Sequence, residues 1–78
     1  MPEEFSSQVV KRFTGEIASR LKEASVLAST AITFTSQGLT EHALQTLLDV
    51  EPLIFEATAL LNATSIVNRS DGEAHRSD

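Results

Sequence analysis

The sequence predicts an all-α protein built as a long antiparallel helical hairpin, and three observations predict it. Apolar residues recur at steps of three and four over both halves of the chain. The stretch Ser36-Gln37-Gly38-Leu39-Thr40 combines a helix stop with a helix start. No alternation of period two runs long enough to make a strand. At 78 residues the chain is one domain. It is read as a helical body over residues 1–68 and a disordered polar tail over 69–78.

The first helix is expected over about residues 3–36. Pro2 suits a first turn because its missing N–H would have no helical partner there, and Glu3 and Glu4 favour the positive helix end. Ser6, between Phe5 and Val10, offers a later start as a cap with a hydrophobic staple. The series Val10, Phe13, Ile17, Leu21, Ala24, Leu27, Ala28, Ala31 and Phe34 falls on one face. Gly15 lies opposite that face and weakens the helix by about 1 kcal/mol relative to Ala.

The turn is placed at residues 37–40. Gly38 has no Cβ to clash in a left-handed position, which is what a helix C-terminus asks for. Thr40 is then the expected cap of the next helix, with Leu39 and Leu44 at staple positions and Glu41 in the first turn. A short connection between two helices implies antiparallel neighbours.

The second helix is expected over about residues 41–68, with a kink near Pro52. Ala43, Leu47, Val50, Ile54, Ala57 and Leu61 form its inner series and keep phase through Pro52, which favours a kinked but continuous helix. The alternative is a break in which Asp49 or Glu51 caps a third helix, giving a three-helix bundle monomer.

Opposite the inner series stands a second apolar stripe, Leu44, Leu48, Phe55, Ala59 and Ile66. A helix that is apolar on two sides needs cover on two sides. These five residues are the candidate protein-interaction site. Two hairpins packing as a four-helix bundle would bury them, as would a groove receiving another protein's helix or a three-helix core. Small domains commonly need added support, and a chain with no Cys has no disulfide to supply it. The expectation is a homodimer.

Chemistry is not expected. His42 stands in a first turn with no ligand four residues on, and His75 lies in the tail. No Gly-x-Ser-x-Gly turn and no Gly-rich phosphate loop occurs. The reading assigns no catalytic, cofactor-binding or metal-binding residue, and no enzyme. Lys11, Arg12, Arg20 and Lys22 make a modest basic cluster, which supports the alternative of a small nucleic-acid-associated regulator. Glu16 and Glu23 interleave with it, and a net charge of −5 repels phosphate, so nucleic acid is disfavoured. The longest uncharged run, residues 24–40, is broken by Ser, Thr and Gln, so no membrane span is expected and the location is read as cytoplasmic. The resulting expectation is a non-enzymatic, self-associating helical interaction module of the adaptor, co-chaperone or regulator type.

Overall fold

The computed structural model describes the backbone of residues 2–76 and the side chains of residues 5–69. It is all-α, with one long helix and a second that is bent. Helix α1 spans Pro2–Ser36, and the bent helix consists of α2, Thr40–Leu48, and α3, Val50–Arg76. Thirty-five residues of helix reach about 52 Å. The Cα trace is accordingly long and thin, 62 × 15 × 12 Å, with a radius of gyration of 17.9 Å. A compact domain of this length would have a radius near 11.5 Å.

The turn at residues 37–39 reverses the chain. Gly38 has φ +76°, the single positive-φ position in the described backbone. The Leu39 N–H donates to the Phe34 carbonyl at 2.9 Å and the Gly38 N–H to the Thr35 carbonyl at 3.0 Å. This pair of bonds is the Schellman closure, and it satisfies two carbonyls that the helix end would otherwise leave free. One expectation is corrected here. Thr40 is already helical, and the residue at the cap position is Leu39, which offers no side-chain bond. The Leu39 carbonyl still accepts the Ala43 N–H at 3.0 Å, so the Schellman turn hands directly into α2 without a capping hydroxyl. Ser6 likewise lies inside α1 rather than before it.

The bend falls at Asp49, three residues before Pro52. A proline ring collides with the carbonyl four residues earlier and removes one helical hydrogen bond. Here that carbonyl belongs to Leu48, the last residue of α2. Asp49 keeps right-handed helical angles, φ −72° and ψ −13°, and its N–H donates to the Thr46 carbonyl at 3.1 Å. The helix thus tightens for one turn and resumes. Both arms pack on α1 and touch each other only slightly. At its far end α3 continues past Asn68, the boundary expected from sequence, to Arg76. Residues 77–78 lie outside the described ones.

Burial defines the seam. In α1 the less exposed positions follow Val10, Phe13, Ile17, Arg20, Ala24, Leu27, Ala31 and Phe34. In the bent helix they follow Ala43, Thr46, Val50, Leu53, Ala57, Leu60, Thr64 and Val67. Both run in strict alternation of three and four, a heptad repeat of the kind that packs knobs into holes. The second keeps phase through the bend. This corrects the inner series expected from sequence at four places. Arg20 replaces Leu21, and Thr46, Leu53 and Leu60 replace Leu47, Ile54 and Leu61. The threonines are tolerated because their hydroxyls donate within the helix, Thr46 to the His42 carbonyl at 2.9 Å and Thr64 to the Leu60 carbonyl at 2.7 Å.

Candidate protein-interaction surface

Among the described residues the fully buried side chains are alanines: Ala24, Ala31, Ala43 and Ala57 are each 7% exposed or less, and no large side chain is fully buried. The large seam residues, Phe13, Ile17, Leu27, Phe34, Leu53 and Leu60, are only partly covered, and further leucine, isoleucine and phenylalanine side chains are exposed outside the seam. The chain presents 5911 Å² of accessible surface. A compact monomer of 8.4 kDa presents about 4,600 Å².

Where the exposed apolar side chains lie follows from the seam. Residues one position after the inner heptad pair fall on one flank, and residues one position before it fall on the other. The first flank carries Leu21 and Ala28 from α1 and Leu47, Ile54 and Leu61 from the bent helix. Those three are 45 to 56% exposed. No charge occurs among these five. The second flank carries Glu16 and Glu23 from α1 with Asp49 and Glu56 from the bent helix. The pair of helices is therefore apolar along one edge and acidic along the other.

Arg20 bridges the two helices along the acidic edge. Its Nη1 donates to the Glu16 carboxylate at 2.6 Å and its Nε to Glu56 at 3.1 Å. The hydrogen bond to Glu16 is the largest cause of an Arg20 pKa raised above the ordinary arginine value. The bond to Glu56 adds to it and partial desolvation opposes it. Arg20 is thereby committed to the acidic flank, while Lys11, Arg12 and Lys22 are exposed. The basic cluster read from sequence loses its central member to an ion-pair triad.

The five residues singled out from sequence are all exposed. Leu44, Leu48, Phe55 and Ile66 rank among the exposed large hydrophobics, Phe55 at 72%, and Ala59 is exposed beside them. They form a stripe facing away from α1. The flank of Leu47, Ile54 and Leu61 was missed because periodicity places these three in the inner series, one residue past the positions the structure buries.

His42 rests against the Phe34 ring, 5.5 Å between centroids and tilted by 48°. Among the described residues, no three His, Asp or Glu side chains gather in a group that could hold a metal. The segment Thr40–Arg69 is long and apolar enough to cross a membrane, by length and composition alone. This corrects the expectation that no segment qualifies, which rested on uncharged runs. The qualifying segment contains Glu51 and Glu56, and a carboxylate at mid-bilayer costs about 3 kcal/mol. Comparison with known protein families, curated proteins and solved structures finds no match to the chain.

Proposed function

We propose that this protein is a non-enzymatic helical interaction module of the adaptor, co-chaperone or regulator type. In this reading it acts as a homodimer, two helical hairpins packed as a four-helix bundle. The observation that carries the reading is that only alanines are fully buried among the described residues, while the large seam side chains are partly covered and many others are exposed. Two helices cover only one side of each other, so much of the apolar area that would repay the ordering of so long a chain stays in water. Cover from a partner supplies the missing burial. Leu44, Leu48, Phe55, Leu61 and Ile66 are each more than half exposed, an apolar surface of the kind that marks a protein contact. A cytoplasmic setting, with no cofactor or metal, fits this role.

Sedimentation velocity or light scattering over a hundredfold range of protein concentration tests it. The expected result is a mass of two chains, with a melting midpoint that rises with concentration as mass action requires. A mass of one chain with a midpoint that does not move would sink the dimer.

A further inference from the structure

We propose that the second copy of the chain docks on the apolar edge formed by Leu21, Leu47, Ile54 and Leu61, with Glu51 at its rim, not on the outward stripe and not on the acidic edge. The inference rests on the self-association proposed above and names the face that performs it.

Three observations point to this edge. The first is charge. The opposite edge carries Glu16, Glu23, Asp49 and Glu56, with Arg12 and Arg20 beside Glu16, whereas the proposed edge carries Glu51 between Leu47 and Ile54. A symmetric dimer sets the same patch against itself, so two edges of four carboxylates each repel more strongly than two edges of one.

The second is the register of the two helices. Arg20 meets Glu56 and Phe34 meets His42. Residue numbers on facing helices therefore total about 76. That register brings Leu21 level with Ile54 and Ala28 level with Leu47 along one edge. Side chains of both helices thus make one continuous surface.

The third is size. The bent helix lines the edge with Leu47, Ile54 and Leu61, whereas α1 lines it chiefly with small residues, Ala18, Ser25 and Ala28. A two-fold axis parallel to the helices lays the large row of each copy over the small row of the other. Large against small interdigitates without voids. The outward stripe has no such complement, since it lies on one helix only. A lipid surface is the competing occupant of an apolar edge. Helices that lie on membranes carry Lys and Arg on the polar side, and here that side is acidic.

The test compares single substitutions by sedimentation and circular dichroism. Ile54→Glu and Leu21→Glu each place a carboxylate in the proposed interface. They should raise the dimer dissociation constant about 100-fold while helicity at high concentration persists. Ile54→Ala, which only removes area, should weaken the dimer in the same direction and covers the case in which Ile54→Glu does not fold. Phe55→Glu and Glu23→Gln should leave the mass at two chains. A wild-type dimer that survives Ile54→Glu and Ile54→Ala but dissociates with Phe55→Glu overturns the edge and leaves self-association standing. A wild-type monomer overturns both. Co-flotation of the wild type with phosphatidylcholine vesicles as a monomer overturns the second copy in favour of lipid.

Discussion

Arg20 and Glu56 stand 36 residues apart in sequence and meet across the two helices through a 3.1 Å hydrogen bond from the guanidinium Nε to the carboxylate. A seam position that could hold leucine holds a cation instead. Its partners are half-exposed, and ion pairs in that setting add little stability. Arg20→Leu should therefore melt with the wild type or above it. Arg20→Glu should melt lower, because it sets a third carboxylate beside Glu16 and Glu56. Its deficit should shrink in 1 M NaCl, where the Debye length falls to about 3 Å. The sign with pH is also fixed. A raised arginine pKa means that the contribution is fully present below the unfolded value and is lost only as pH climbs through the higher folded one. Thermal melts between about pH 6 and 9 should show no step traceable to Arg20. An Arg20→Glu variant as stable as the wild type at low salt would show that Glu16 and Glu56 do not repel a third carboxylate at this position.

Gly38 and Gly15 predict opposite responses to the same change. At Gly38 a new Cβ meets nothing within 4 Å, but φ is +76°. The cost of Gly38→Ala is therefore backbone strain alone, about 1–2 kcal/mol. For a domain this small that lowers the melting midpoint by roughly 4–8 °C per kcal/mol. Gly38→Asn should recover part of the loss, since asparagine tolerates the left-handed region better. Gly15 is an ordinary helical residue with open space around its Cα. Gly15→Ala should raise stability by about 1 kcal/mol. Differential scanning calorimetry of the pair checks both signs.

These two glycines also show what was legible in the sequence. The turn could be read because one residue type answers one backbone need, and Gly38 occupies the position that needs it. The phase of the helices could not. Ala43, Val50 and Ala57 belong to the inner series under either reading. Hydrophobicity prefers Leu47 to Thr46 and does not separate Ile54 from Leu53, so periodicity sets the series one residue late. The structure instead places Thr46 and Arg20 at the seam, polar groups that periodicity excludes but that are satisfied there, the hydroxyl within its own helix and the guanidinium by two glutamates. The outward position of Leu48 and Phe55 was legible because a residue opposite the alanine spine is outside under both phases.

Pro52 should cost less than an interior proline does. The bend at Asp49 precedes it, so Pro52 occupies the third position of α3, where a free N–H has no helical acceptor to lose. Pro52→Ala should change stability by under about 1 kcal/mol, against the roughly 3 kcal/mol of a mid-helix proline. Circular dichroism should show a slight gain in helicity as α2 and α3 fuse. A gain near 3 kcal/mol would mean that the bend is strain imposed by the proline and not accommodated by the turn at Asp49.

Ala31 is 3% exposed at the seam close to the turn, as is Ala43 on the facing helix. Buried methyl groups on both sides leave no space for a branch. Ala31→Leu must either push the helices apart or force its side chain off a staggered rotamer, at about 1–3 kcal/mol. Ala28→Leu is the contrast. Ala28 is one residue past the seam pair and only partly covered, so the larger side chain can lie along the apolar edge beside Leu47. Its expected effect on the melting midpoint at low concentration is small. At high concentration it should be unfavourable, because Ala28 belongs to the small row over which a second copy would lay its leucines. Melting both variants at two concentrations separates the two roles. Damage from Ala31→Leu that is independent of concentration locates it within the chain, and damage from Ala28→Leu that appears only as concentration rises locates it between chains. If Ala31→Leu folds as stably as the wild type, the alanine seam does not set the spacing of the helices.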